Sequence, residues 1–263
     1  MIGAGVIGLS TARLVQEAGF EVSVYAKDLP PRTTSDVAGG QWYPYHLYDE
    51  KRVTAAWRKQ YESAATDSWR RFQNLVGDDY GVRWLPTYTD SIAEQPPFAG
   101  FPPNMRTLSG DEHPFAIDTV AAYDTMYVET GRYLQRLIRD VQAAGGRIYV
   151  REFRTVGDIS GLEEQLVFNC TGLGARQLFG DDDLIPVRGQ LAVLLPQPEV
   201  RYAYSFKDTY MFPRPDGIVL GGTAEEGIWD VNVQPKTIAK ILTAHQRLFD
   251  DYRCTPGNSD QNA

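Results

Sequence analysis

The chain has 263 residues, enough for one large α/β domain or two interleaved domains with a buried core. Its apolar content of 43% and charged content of 23% are ordinary for a soluble globular protein. The formal net charge of −8 argues against a nucleic-acid-binding protein, and no apolar run approaches the roughly 18 residues of a membrane span.

Thiol and imidazole groups are few and scattered. Cys170 and Cys254 cannot form a disulfide framework or a metal cluster, and the three histidines (His46, His113 and His245) lack ligand spacing. No charged-then-apolar leader opens the chain, so nothing directs secretion. We therefore expect an intracellular, cytoplasmic enzyme without a metal.

The first residues form a glycine-rich turn between a strand end and a helix. The spacing Gly-x-Gly-x-x-Gly permits a tight turn, a close approach to a pyrophosphate and close packing of the helix on the sheet. The free N–H groups of the helix N-terminus favour an anion there. The predicted dinucleotide contacts are Gly3, Ala4, Gly5, Val6, Ile7 and Gly8. Only two residues precede Gly3, so we expect the leading strand to be clipped.

A second strand at residues 21–25 completes a strand–helix–strand unit, with Gly19 ending the helix. In such units an acidic side chain about 20 residues after the last glycine binds the adenosine ribose. Asp28 stands there, with Lys27 beside it. The unit therefore predicts a dinucleotide site.

Residues 29–45 form a loop, because Pro30 and Pro31 rule out a continued helix. Three hydroxyl residues at 33–35 precede small residues and a glycine pair, which favours a loop around an oxygen-rich ligand. The alternative is an ordinary helix cap made by one of the hydroxyls.

Further along, alternating patterns predict helices and short strands. An amphipathic helix over 51–76 carries an aromatic stripe that is typical of core, and residues 77–127 indicate an inserted substrate-binding sheet. The other predicted elements are helices at 130–143 and 235–249, strands at 147–150, 165–168 and 191–195, and a hairpin of 210–213 with 218–220.

These motifs resemble the D-amino-acid oxidase family of FAD enzymes, which includes the D-aspartate oxidases. The matching segments are residues 2–11, 24–26, 33–42, 44–45, 169–172 (Asn-Cys-Thr-Gly), 188–190 (Arg-Gly-Gln) and the tyrosine, hairpin and double glycine of 210–222. The resemblance reaches about residue 249. The family's late segment, a strand with an arginine that pairs with the substrate carboxylate and a glycine-rich turn over the flavin, has no match. We therefore expect a chain truncated at both ends.

The implied fold is α/β, with a Rossmann-like FAD-binding domain and an interleaved α+β substrate domain on a mixed, largely antiparallel sheet. The expected FAD-binding domain comprises residues 1–45 and 128–190, and the substrate domain comprises 46–127 and 191–249. Residues 250–263 are polar and are expected to be a disordered tail.

The resemblance also implies cofactor contacts. The hydroxyl triplet Thr33, Thr34 and Ser35 would contact the FAD pyrophosphate, and the turn Gly40, Gln41 and Trp42 would pass along the flavin ring. Thr171 and Gly172 would form the second FAD contact. Phe153 and Arg154 would lie near adenine. Animal members tend to have the acidic residue before the basic one, so the ribose partner here stays open between Lys27 and Asp28.

For the substrate, Tyr210 matches the tyrosine whose hydroxyl binds the carboxylate. Phe206 stands where a second, mobile tyrosine is often found, so that hydrogen bond is lost. Tyr43 is expected to line the same pocket. The connection before Tyr210 is short, and we expect no long lid.

The implied activity is oxidation of a D-amino acid. A hydride leaves Cα for flavin N5, the imine hydrolyses to a 2-oxo acid and ammonia, and oxygen is reduced to hydrogen peroxide. Alternatives are oxidation of D-aspartate, glycine or an N-methyl amino acid, a truncated non-catalytic remnant, and an NAD-dependent dehydrogenase, against which the hydroxyl triplet and the Asn-Cys-Thr-Gly segment argue. Side-chain preference stays open, as does a homodimer, and a eukaryotic source would place the enzyme in peroxisomes.

Overall fold

The structure, a computed structural model, describes residues 1–44, 48–90, 98–207 and 209–250. The helices of these residues are α1 (Val6–Glu17), α2 (Ala55–Gln73), α3 (Thr130–Ala143), α4 (Val156–Ser160), α5 (Gly174–Phe179) and α6 (Pro235–Asp250). The strands are β1 (Ser23–Ala26), β2 (Val82–Thr89), β3 (Arg106–Ser109), β4 (Thr119–Val128), β5 (Arg147–Val150), β6 (Val187–Arg188), β7 (Ala192–Leu194), β8 (Ala203–Phe206), β9 (Thr209–Arg214), β10 (Gly217–Gly221) and β11 (Glu225–Glu226).

A short parallel layer lies at the N-terminus. Strands β1 and β5 pair in parallel, and Ile2 forms parallel bridges to Tyr25 and Asn169. Helices α1 and α3 pack together beside this layer, and their apolar faces share one buried cluster with Val24. The arrangement is the Rossmann-like unit that the glycine spacing predicts.

The strand predicted at 165–168 is wrong. Only Asn169 makes a bridge there, to Ile2. The Ile2 amide donates to the Phe168 carbonyl at 3.0 Å, and the Cys170 amide donates to the Ile2 carbonyl at 2.8 Å. Among the described residues the bridge between Ile2 and Asn169 is the one ladder pair of this segment, so the pairing ends after one step.

The larger sheet has seven strands in the order β3-β4-β2-β8-β9-β10-β7. Strands β2 and β8 are parallel, and the other neighbours are antiparallel. The mixed, largely antiparallel sheet is therefore confirmed. Because side chains alternate along a strand, one face buries Tyr204 and Met211 against α6, and the other buries Phe212 and Val219.

Two helices depart from their predicted bounds, and α2 differs at both ends, since it also stops at Gln73. Helix α2 begins only after Thr54, whose hydroxyl accepts from the Trp57 amide at 3.1 Å and so caps the helix. Helix α6 ends at Asp250, so the first residue of the expected disordered tail is helical. The remainder of that tail lies outside the described residues, and the division into two domains stays a prediction.

Candidate FAD and substrate site

A cavity of about 670 Å³ opens at the N-terminus of α1. It lies at the carboxyl edge of the parallel layer, where open α/β sheets bind ligands. Its walls include the following predicted cofactor residues: Gly3, Ala4, Gly5, Val6, Ile7, Lys27, Asp28, Thr33, Thr34, Ser35, Phe153, Thr171 and Gly172. Segments far apart in sequence thus meet around one space of the size of a cofactor pocket.

The glycines of the turn lie where a side chain would not fit. Gly3 has φ +109°, and a Cβ there would lie 2.1 Å from the carbonyl oxygen of Cys170. A Cβ on Gly8, which does not line the cavity, would lie 2.0 Å from the Gly3 carbonyl oxygen. The spacing therefore serves the packing of the turn against residues 169–172 and of α1 against the strand end.

The first turn of α1 suits an anion. Its N-cap residue, Gly5, makes no side-chain capping hydrogen bond, and the turn contains no acidic residue. The Val6 amide donates to Ser35 Oγ at 2.9 Å, which leaves the serine its own proton to donate to a ligand. Ser35 therefore caps a helix 29 residues away, which is the capping alternative for the hydroxyl loop, and it also lines the cavity; contact with an oxygen-rich ligand stays a prediction.

Two other hydroxyls of the cavity wall, those of Thr33 and Thr171, are held by neighbouring acceptors. Thr33 donates to Asp36 Oδ2 from its amide at 2.9 Å and from its hydroxyl at 2.7 Å. Thr171 donates from its hydroxyl to Asn169 Oδ1 at 2.7 Å. These bonds keep both loops in place at the rim of the cavity.

Three of the four ribose and adenine candidates line the cavity, and the fourth does not. Lys27 Nζ lies 4.0 Å from Asp28 Oδ2, and both side chains line the cavity. Phe153 also lines it. The structure does not bring Arg154 to the cavity: its guanidinium pairs with Glu152 and its side chain is 78% exposed.

Two basic residues of the cavity wall are not among the site residues predicted from the sequence. Arg32 directly precedes the hydroxyl loop, and Arg151 directly follows β5 with its guanidinium over the Phe153 ring. Arg151 follows a predicted strand, and ligands bind at the carboxyl ends of parallel strands. This position is the sequence feature that could have identified it.

The loop that begins with the hydroxyls continues to the larger sheet. The Val128 amide donates to the Gly40 carbonyl at 2.7 Å, and the Trp42 amide donates to the Met126 carbonyl at 2.8 Å. A Cβ on Gly39 would lie 2.8 Å from a ring carbon of Phe212. Residues 33–42 therefore connect the cavity to the sheet face that carries Phe212.

None of Gly40, Gln41 and Trp42 lines the cavity. The Gln41 side-chain amide donates to the Tyr127 hydroxyl at 2.9 Å. The Trp42 ring packs against Trp69 at 4.7 Å, in a half-buried aromatic cluster. The turn thus lies beside strand β4 of the seven-stranded sheet.

Tyr43 continues this aromatic cluster. Its ring lies 5.4 Å from that of Phe101 and 6.1 Å from that of Tyr123. Tyr123 is also within reach of the Gln41 side chain, at 3.4 Å from its amide nitrogen. Tyr43 is therefore near the sheet face described above.

Tyr210 lies half-buried on β9, stacked on Phe212 with ring centroids 4.7 Å apart. Burial raises the pKa of its phenol, so the hydroxyl stays protonated at neutral pH. A Cβ on Gly221, its partner in β10, would lie 2.0 Å from Tyr210 Cζ, so the ring occupies the space that this glycine leaves.

The structure does not bring Phe206 and Tyr210 together. Ser205 is the register partner of Tyr210, so Phe206 points to the opposite face. There it packs against Phe115, with ring centroids 4.7 Å apart. The connection between β8 and β9 is two residues long, as the sequence predicts.

The described part of the chain offers neither a reactive thiol nor a metal centre. Burial raises the pKa of the Cys170 thiol, so it is not a thiolate. The described residues contain no group of three potential metal ligands. No helix among them has both the length and the apolar character needed to cross a membrane.

Comparison with known proteins agrees with this geometry. Residues 1–259 match the family model described as DAO, FAD dependent oxidoreductase. A D-amino-acid oxidase of Rubrobacter xylanophilus is 32% identical over 250 residues, which cover 92% of this chain and 74% of the relative. Human D-aspartate oxidase is 28% identical over 252 residues, covering 92% and 73%.

Solved structures share the fold. A glycine oxidase from Geobacillus kaustophilus superposes with a TM-score of 0.71 at 17% identity, covering 96% of this chain and 78% of the other. A glycine oxidase from Bacillus cereus gives a TM-score of 0.66 at 16% identity, covering 96% and 80%. The predicted fold class is confirmed, and the chain belongs to the DAO family of FAD-dependent oxidoreductases.

Proposed function

We propose that the protein oxidises D-amino acids to 2-oxo acids, ammonia and hydrogen peroxide. The observation that carries this proposal is the course of residues 33–42. This loop contacts the N-terminus of α1 through Ser35 and the strand bearing Tyr210 through Gly39. A cofactor cradle and a substrate-binding tyrosine are therefore joined by one segment.

The residues present fit the cofactor that the family uses. The first turn of α1 and the Ser35 hydroxyl supply donors for a diphosphate, and Asp28 or Lys27 supplies a partner for ribose hydroxyls. Bound FAD would supply a two-electron acceptor for oxidation at the substrate Cα, with oxygen as the final acceptor. The protein's own contribution is orientation and electrostatics.

Tyr210 would hold the substrate. Its protonated hydroxyl is a donor suited to a carboxylate, and no hydrogen bond involves it within the described residues. Around it, Phe212 and Leu191 make an apolar surface that would exclude water from the reacting carbon. Tyr43, from the neighbouring aromatic cluster, would complete the pocket.

Two arginines near this sheet face are engaged by the protein itself. Arg83 donates to the Pro213 carbonyl, and Arg214 donates to Asp216 and to the Ala38 carbonyl. An acidic side chain on the substrate would need a free cation. Arg214 is already paired with a carboxylate, whereas the buried Nε of Arg83 has no hydrogen-bond partner within the described residues, so Arg83 is the candidate partner if D-aspartate is the substrate.

Flavin absorption tests the proposal directly. The purified protein, supplied with FAD, should show flavin bands that D-alanine bleaches under anaerobic conditions and L-alanine does not. Readmitted oxygen should restore the colour with release of hydrogen peroxide and pyruvate. Bleaching by D-aspartate, glycine or an N-methyl amino acid, with none by D-alanine, would overturn the substrate assignment. A protein that never takes up FAD would be a non-catalytic remnant.

A variant of the tyrosine separates binding from chemistry. Tyr210→Phe should raise KM for D-alanine about tenfold or more while kcat changes less, because the hydroxyl binds the carboxylate rather than the reacting carbon. Tyr149→Phe, on the exposed side of β5, is the matched control and should leave both constants unchanged. Equal constants for Tyr210→Phe and the native enzyme would remove this tyrosine from the site.

A further inference from the structure

The guanidinium of Arg214 joins three separate segments. Nε and Nη2 donate to the carboxylate of Asp216 at 2.8 and 3.0 Å, within the β9–β10 hairpin. Nη1 donates to the Ala38 carbonyl at 3.1 Å and to the Thr130 hydroxyl oxygen at 3.2 Å. The side chain is only 10% exposed. Nε and Nη2 of the guanidinium are therefore held within the hairpin, while Nη1 binds the loop at Ala38 and the start of α3 at Thr130.

Thr130 completes this contact from the helix side. Its hydroxyl donates to the Asp36 carbonyl at 2.8 Å and accepts from Arg214. The residue is buried at the first position of α3. Arg214 and Thr130 thus bind the carbonyls of Asp36 and Ala38 in one short stretch, which we call the 36–40 segment.

The 36–40 segment lies over one face of β9. Tyr210, Phe212 and Arg214 alternate along the strand and so project from the same face. Gly39 contacts the Phe212 ring, and a Cβ there would lie 3.8 Å from a ring carbon of Tyr210. The arginine therefore fixes the segment directly beside the stacked tyrosine.

We propose that Arg214 is a positioning residue that clasps the 36–40 segment to the strand bearing Tyr210. This inference rests on the proposed function, because Ser35 precedes the segment at the cofactor cavity and Gln41 follows it beside the sheet. Holding both ends of the loop fixes the cofactor cradle relative to the substrate tyrosine. The bifurcated contact needs a planar fork, so lysine would replace it only in part.

Amide hydrogen exchange of the protein without cofactor tests the clasp. Arg214→Met should raise the exchange of the 36–40 segment about tenfold relative to the native chain, with a smaller rise for Arg214→Lys. Thr130→Val, which keeps the shape of the side chain, should loosen the same segment. Arg139→Met, which removes an exposed arginine from α3, is the charge-matched control and should change nothing there.

Titration with FAD gives the second readout. The dissociation constant should rise about tenfold for Arg214→Met, with partial recovery in Arg214→Lys, and stay unchanged for Arg139→Met. Native exchange rates and native FAD affinity in Arg214→Met would overturn the proposal. Faster exchange spread evenly over the chain would also overturn it, since that indicates a general loss of stability. A native chain that binds no FAD would defeat the proposed function, whereas the exchange pattern would still decide whether Arg214 holds the segment.

Discussion

The amide of Val6 donates a hydrogen bond to Ser35 Oγ at 2.9 Å, so a loop serine caps a helix that begins 29 residues earlier in the chain. The bond joins the helix N-terminus to the loop that leads toward Tyr210. A Cβ on Gly5 would lie 3.0 Å from the same oxygen, which shows how closely the loop approaches the turn. We therefore expect the stability of α1 and, on the proposed function, cofactor binding to depend on the same hydroxyl.

Replacing that hydroxyl should have two effects. Ser35→Ala should lower the free energy of unfolding by about 1 kcal/mol, because the first turn of α1 loses its cap. It should also weaken FAD binding. Urea denaturation and FAD titration measure the two quantities. Ser63→Ala, at an exposed position in α2, is the control and should change stability by less than about 0.5 kcal/mol. Unchanged affinity in Ser35→Ala would separate this serine from the cofactor.

The ribose partner is decided by two single variants. We expect Asp28→Asn to raise the FAD dissociation constant about tenfold, because a carboxylate accepts hydrogen bonds from both ribose hydroxyls. Lys27→Met should have a smaller effect, since its side chain is 69% exposed. FAD titration of both variants shows which substitution raises the dissociation constant more. The reverse order would assign the ribose to the lysine.

Gly221 provides a steric test of the tyrosine's place. Gly221→Ala should displace the Tyr210 ring and lower stability by about 1–3 kcal/mol, because the added Cβ would overlap the ring. Gly131→Ala is the matched control: it lies in α3 with no atom within 4 Å of a Cβ and should keep or raise stability. Thermal unfolding compares the two. Equal stability of Gly221→Ala and the native chain would mean that the ring does not fill this space.

A buried histidine makes stability depend on pH. His245 Nε2 lies 3.1 Å from the Gly221 carbonyl oxygen, which can only accept, so Nδ1 accepts from the Tyr204 hydroxyl at 2.6 Å. Burial lowers the pKa of His245 below its ordinary value near 6.5. The unfolded chain therefore binds the proton first, and the free energy of unfolding should fall as the pH drops below about 6.5.

Urea midpoints between pH 5 and 8 measure this effect. The native protein should lose stability at acid pH relative to His245→Gln, although the variant is less stable at pH 8. The comparison isolates His245, because every other titratable group is the same in the two proteins. Parallel pH profiles would show that His245 does not titrate in this range.

Much of the local structure was predictable from the residues alone. Helix α3 and strand β5 have the predicted bounds, because apolar periodicity and the stop at Gly145 act within one element. The hairpin also follows from its own turn residues. The glycine spacing of the first turn predicts a close approach of backbone, which the structure shows at Gly3.

Register and long-range contact were decided only by the tertiary structure. Which face Phe206 occupies depends on its pairing with β9, since a shift of one residue would reverse it. The contact of Arg214 with Ala38 spans 176 residues, and no local pattern encodes it. The sequence by itself determined most of the elements and the family, because these depend on spacing along the chain. The joining of cavity and tyrosine by one loop was decided by packing between elements, because that arrangement depends on how the sheets and helices meet.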